Sequence, residues 1–196
     1  MSKPTFDSNK VFFTSDIHFG HKNVIEYEDR GTLKSALGYV RFKNTQEMDN
    51  YYIKKWNKKV KPDDIVFYLG DFAFGNQEYW LSILKQLNGT IHLIRGNHDC
   101  KMSLKFLLDN FESVSDLKEI YLIFADEKIS VTLCHYPLYV WNKLNYGAWH
   151  LFGHVHSKLV QIPNRPVNYN VGVDIWGAPV SAIELATKFY QAAKCD

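Results

Sequence analysis

The side chains best suited to hold a cation or move a proton stand directly after short apolar runs. Asp16 and His18, two residues apart, follow KVFFTS; Gly70 and Asp71 close DIVFYL; Gly96, Asn97, His98 and Asp99 follow TIHLIR. His135 follows KISVTLC, and Gly153, His154, Val155 and His156 follow WHLF. One aspartate after a strand is ordinarily a turn residue, and a lone histidine is ordinarily structural or solvated. Recurrence at five strand exits is different, because open α/β sheets gather function at the carboxyl ends of their strands. Asp16, His18, Asp71, Asn97, His135, His154 and His156 give seven candidate ligands. They are imidazoles, carboxylates and one amide without matched thiolates, a set suited to Mn, Fe(II), Zn or Ni and unlike a Cys-rich structural zinc site. The supply exceeds what one ion needs. A carboxylate such as Asp71 can bridge two cations roughly 3.5 to 4 Å apart, and such a pair makes hydroxide from a shared water for in-line attack on phosphorus.

The elements that must position these residues are read from hydrophobic period. Strands are expected at about 10 to 15, 64 to 69, 90 to 95, 119 to 125, 128 to 134, 149 to 153 and 167 to 173, with period two pointing Asp16 and His18 to one side. Helices are expected over 45 to 59, where Met48, Tyr52 and Trp56 recur every fourth residue, and over 77 to 88, with Trp80, Leu81, Leu84 and Leu87. Two more follow at 102 to 109 and 181 to 193. The last opens on Ser181 and Glu184 at capping-box spacing. Residues 19 to 44 have weak periodicity and read as a long loop bordering a pocket. Short strands alternating with helical stretches imply an α/β or mixed α+β chain.

The 196 residues suit one domain, 1 to 196, and no Pro/Gly/Ser linker, charge block or repeat divides them. A hydrophobic share of 46% with 22% charged residues excludes disordered, collagen-like and coiled-coil classes. The 23 Lys and Arg against 21 Asp and Glu leave a net charge of +2, which advertises neither nucleic acid nor an anionic membrane. No apolar run approaches a membrane span, and the opening MSKPTFDSNK lacks a secretory core, so a cytoplasmic protein is expected. Cys100, Cys134 and Cys195, without a CxxC spacing, fit reduced thiols.

Together, DxH at Asp16 and His18, GD at Gly70 and Asp71, GNHD at Gly96 to Asp99, the lone His135 and GHxH at Gly153 to His156 resemble the calcineurin-like metallophosphoesterase superfamily. The flanking text at Thr14 to Asn23 and Leu69 to Gly75 further resembles a small bacterial and phage branch described as predicted phosphoesterases. The resemblance implies a two-sheet β-sandwich flanked by helices, with metals in loops at one edge. It assigns Asp16, His18 and His156 to a first metal and Asn97, His135 and His154 to a second, bridged by Asp71. It makes His98 the general acid or substrate-orienting group, with Asp99 as its carboxylate partner. The expected function is hydrolysis of a small phosphomonoester or phosphodiester with two divalent ions, Mn²⁺ foremost and Fe, Zn or Ni as alternatives. A nuclease of the same chemistry and a protein-binding scaffold are the competing readings.

Other residues carry weaker expectations. His21 and Asn23 could contact substrate phosphate or merely stabilise their loop. Arg95 could offer phosphate a bidentate fork or form a surface ion pair. His92 and His150 read as sheet histidines and Cys134 as a small buried hydrophobe. The aromatics Tyr136, Tyr139, Trp141, Tyr146 and Trp149 could stack a nucleobase or fill a core.

Overall fold

The computed structural model describes residues 3–27, 30, 33–35, 38–40, 42–125, 127–158 and 167–192. Its first sheet is built around β2 (Val11–Thr14), β5 (Ile65–Tyr68), β6 (Thr90–Ile94) and β7 (Ser113–Ser115), all parallel, with β12 (Val180–Ser181) antiparallel at the β2 edge. The second sheet runs β1 (Thr5–Asp7), β8 (Leu117–Phe124), β9 (Glu127–Cys134), β10 (Trp149–Phe152) and β11 (Asn168–Asn170). Only the β8–β9 hairpin in it is antiparallel. The two sheets pack as a sandwich, as the family resemblance implies.

Period-two alternation explains why each strand of the first sheet serves two cores. Val11 and Phe13, Phe67, and Ile94 face the second sheet, where they meet Ile120, Leu122, Val131, Leu133, Trp149 and Leu151. Their neighbours Phe12, Val66, Tyr68, Ile91 and Leu93 face the opposite way, toward helices. A parallel sheet covered on both faces needs this near-continuous apolar text.

The helices begin where side chains can accept free amides. Asn44 accepts from the Glu47 amide at 3.0 Å, and Glu47 accepts from the Lys43 amide at 2.9 Å, opening α2 (Thr45–Lys59), which buries Met48, Tyr52, Ile53 and Trp56. Asn76 and Ser103 open α3 (Gln77–Leu84) and α4 (Leu104–Asn110) in the same way. The expected capping box is present: Ser181 Oγ accepts from the Glu184 amide at 3.1 Å and Glu184 accepts from the Ser181 amide at 2.8 Å, opening α6 (Ala182–Ala192). Leu185 and Ala186 of α6 close one end of the sandwich core.

Three expectations need correction. The helix expected over 77 to 88 ends at Leu84, and the strand expected over 167 to 173 covers only Asn168–Asn170. Gly172 then turns the chain into the short α5 (Val173–Trp176). The stretch read as a loop over 19 to 44 contains α1 (Val24–Tyr27) and a hairpin of β3 (Leu33–Ser35) and β4 (Gly38–Val40). Cys195 and residue 193 lie outside the described residues. Among the described residues no helix is long and apolar enough to cross a membrane.

Candidate metal centre

Because β2, β5 and β6 run parallel in one sheet and β9 and β10 run parallel in the other, their carboxyl ends bring the five motifs together at one edge. Asp16, His18 and His156 form one group whose ligand atoms all lie within 4.8 Å of one another; Asp71, His135 and His154 form another by the same measure. Asn97 joins the second group, its Oδ1 3.2 Å from His135 Nε2. The expected ligands therefore lie together in the two sets that the resemblance implies, with Asp71 in the second group. Asp71 stands between them. Its Oδ2 is 3.6 Å from His18 Nε2 and 3.6 Å from His135 Nε2.

The backbone achieves this convergence by a route different from period two. Asp16, His18, Asp71, His154 and His156 all have left-handed φ, from 50° to 69°, and only two other non-glycine residues among those described do so. Each such residue costs on the order of 1 kcal/mol, so they persist only where surrounding contacts hold them. Close packing supplies part of that hold. The His154 amide donates to both Asp16 carboxylate oxygens, at 3.1 and 2.9 Å, and the His98 amide donates to Asp71 Oδ1 at 2.9 Å. Gly96 and Gly153 leave room for this: a Cβ on either would land on the carboxylate of Asp71 or Asp16, respectively.

Several donors are set up as bare lone pairs. His135 Nδ1 lies 2.7 Å from the Leu69 carbonyl, which can only accept, so Nδ1 carries a proton and Nε2 is the ring atom turned toward Asp71 and Asn97. His156 Nδ1 lies 2.8 Å from Asp174 Oδ2, a carboxylate that orients the ring as an acceptor for the Nδ1 proton. His18 is buried, and among the described residues neither of its ring nitrogens has a hydrogen-bond partner. Burial, with the Arg30 charge as the next cause, pushes its pKa well below the usual histidine range. Burial also lowers His154 and raises the Asp16 carboxyl to about 6. A buried, neutral, unpartnered imidazole between two carboxylates costs free energy unless a cation supplies the missing interaction. The residues present fit hard or borderline divalent ions.

The remaining expectations divide. His98 lies at the rim with its side chain 38% exposed, Nε2 3.9 Å from Asp71 Oδ2. Asp99 is not placed as its partner. Wholly buried, it accepts from the Asp71 and Gly96 amides on Oδ2, at 2.9 and 2.7 Å, and from the Phe72 amide on Oδ1 at 2.9 Å. Burial raises its pKa against the pull of those amides. Arg95 spends its fork on Asp116, at 2.8 Å for each bond, and not on the site. His21 Nδ1 accepts from the Val24 amide at 3.0 Å, a loop-stabilising bond that leaves only Nε2 for a ligand. Asn23 is exposed at the start of α1, its carbonyl accepting from Glu26 and Tyr27.

His92 bonds Ser113 Oγ at 2.8 Å and stacks on Phe67, and His150 is wholly buried beside Trp141, so both are sheet histidines. Cys134 is buried. The aromatic cluster splits: Trp141 and Trp149 pack inside, whereas Tyr139 and Tyr146 are exposed and Tyr136 lies edge-on to His135 and His154 at the rim. Two residues escaped the sequence reading. Arg30 and Asp174 form a buried ion pair at 2.7 Å behind the first group. Asp174 directly follows the stretch expected as a strand over 167 to 173, the signal used elsewhere, although the observed β11 ends at Asn170.

A family model described as calcineurin-like phosphoesterase matches residues 9–158. The chain is 28% identical over 191 residues to the uncharacterized protein MJ1445 of Methanocaldococcus jannaschii, covering 94% of this chain and 93% of that one. It is 28% identical over 205 residues to the Gene 66 protein of Mycobacterium phage L5, covering 90% and 92%. Among solved structures, a protein of unknown function, AQ665 from Aquifex aeolicus, superposes with a TM-score of 0.66 at 24% identity over 90% of this chain and 97% of that chain, a likeness of fold.

Proposed function

We propose, for a chain that belongs to the calcineurin-like phosphoesterase family, that it hydrolyses a small phosphomonoester or phosphodiester with two divalent cations, Mn²⁺ being the most effective in vitro. The observation that carries this reading is Asp71 Oδ2, equally 3.6 Å from a ring nitrogen of each ligand group. One carboxylate placed so can serve both groups. Asp16, His18 and His156 would hold one ion, Asn97, His135 and His154 the other. When bound, such a pair withdraws charge from phosphate oxygens and acidifies water, so no nucleophilic side chain is needed.

The chain's own contribution is to present bare lone pairs and to hold them still. Leu69 and Asp174 fix the tautomers of His135 and His156, and Asp99 pins the backbone on either side of Asp71. His98, half-exposed at the rim, holds a proton at Nε2 for the leaving oxygen. Tyr136 forms one wall beside His135 and His154 and sets how large a leaving group can lie there. A panel of p-nitrophenyl phosphate, bis-p-nitrophenyl phosphate and cyclic nucleotides with Mn²⁺ tests the reading. Turnover of at least one substrate that chelation abolishes supports it, and no turnover with any divalent metal refutes it. Labelled single-stranded and duplex oligonucleotides run beside the panel would reveal the nuclease alternative.

A further inference from the structure

Arg30 is wholly buried, charged and outside both ligand groups. Its guanidinium forks onto Asp174, Nε to Oδ1 at 2.7 Å and Nη2 to Oδ2 at 2.9 Å. The same guanidinium donates to two backbone carbonyls, that of Ile17 at 2.6 Å and that of Asp16. Asp174 Oδ2 in turn accepts from His156 Nδ1. One ion pair therefore reaches the peptide units between Asp16 and His18 and the imidazole of His156, which together are the whole first group. Among the described residues nothing comparable joins it to the second group, whose His135 is oriented by the Leu69 carbonyl.

The energetics say what such a pair is for. Removing two charges from water is costly, so a buried pair seldom adds net stability over apolar side chains of the same volume. What this pair supplies is geometry. The left-handed turns at Asp16 and His18 swing two carbonyls to where Arg30 donates to both, and a buried carbonyl without a donor is costly. On His156 the carboxylate holds the proton at Nδ1 and makes Nε2 a better donor to a cation, an arrangement whose loss typically weakens metal binding about 10- to 100-fold.

We propose that Arg30 and Asp174 are positioning residues that set the affinity of the first metal site alone. The assignment rests on the reading that Asp16, His18 and His156 bind a divalent ion, and the experiment separates the two. Full-length wild type, Asp174→Asn and Arg30→Lys are titrated with Mn²⁺ by calorimetry, each folded by far-UV circular dichroism. His154→Ala and His156→Ala serve as references for which site is which. Asp174→Asn keeps the shape and one acceptor for His156 while losing the charge; Arg30→Lys keeps the charge while losing the fork. The expected result is two sites in wild type, with the first weakened about 10- to 100-fold in both variants and the second changed less than about threefold. Wild-type affinity at the first site in Asp174→Asn, or equal weakening of both sites, overturns the proposal. Wild type that binds no Mn²⁺ overturns the metal reading itself and the assignment with it.

Discussion

Asp99 offers a perturbation whose cost can be worked from three bonds. Its Oδ2 accepts two backbone amides, those of Asp71 and Gly96, and its Oδ1 accepts that of Phe72. An asparagine can aim its oxygen at only one of these sides. The amide oxygen satisfies the pair at Asp71 and Gly96, and its NH₂ then confronts the Phe72 N–H, leaving a buried donor unmet. Leaving one buried donor unmet costs about 1–3 kcal/mol, and two remaining bonds lose their charge assistance, so Asp99→Asn should destabilise the metal-free protein by about 3 kcal/mol. Asp99→Ala leaves all three donors unmet, which raises the expected loss to about 6 kcal/mol, comparable with the whole stability of many domains. Urea unfolding followed by tryptophan fluorescence, in the presence of chelator at pH 7, measures both. Asp71 sits inside the loop that Asp99 holds, so Mn²⁺ affinity should fall in Asp99→Asn while the pH dependence attributable to His98 stays in place. Unchanged stability in Asp99→Asn with a displaced pH–rate profile would refute this and return Asp99 to the role of carboxylate partner to His98.

Three further outcomes are expected. Asp71→Asn removes the charge shared by both ligand groups, so metal content measured by elemental analysis and hydrolytic activity should fall together. His98→Ala should keep its metals while kcat for alkyl phosphate esters drops by about 10² to 10⁴, with a much smaller loss on p-nitrophenyl esters whose leaving group needs no proton; equal losses on both substrates would make His98 a phosphate-positioning residue. His150 is buried with Nδ1 donating to the Thr132 carbonyl and Nε2 accepting from the Leu138 amide, and burial lowers its pKa from the ordinary 6.5 to about 4. The unfolded chain therefore binds the extra proton between those two values, so stability is full above about pH 6.5 and falls by about 3 kcal/mol as pH drops toward 4. That slope should shrink in His150→Gln, as denaturant midpoints at pH 7 and pH 5 would show.

Much of this architecture is legible in the text because strand exits are short-range features. A run such as KVFFTS fixes both the strand and the position of Asp16 just past it, and parallel pairing then carries that position to the same edge as Asp71 and Asn97. Helix α2 matches its expected span, Thr45–Lys59, since its apolar spacing and its Asn44 cap agree. What the text conceals is long-range or conformational. Arg30 lies in a weakly periodic stretch, and its partner is 144 residues away, a pairing no local pattern announces. Asp99 looks like part of a reactive GNHD string, yet the close approach of Gly96 to Asp71 turns its carboxylate inward to backbone amides. The left-handed turns at Asp16, His18, Asp71, His154 and His156 have no signature either, because aspartate and histidine fill ordinary positions far more often than strained ones. Edge strands β1 and β12, three and two residues long, are too short for a period to show.

The central claim is that two cations sit at one sheet edge and share Asp71. Anomalous scattering at the manganese edge, from crystals of protein reconstituted with Mn²⁺, tests it most directly. The account predicts two peaks, one enclosed by Asp16, His18 and His156, the other by Asn97, His135 and His154, with the Asp71 carboxylate touching both. A single peak, or peaks away from these residues, would contradict it.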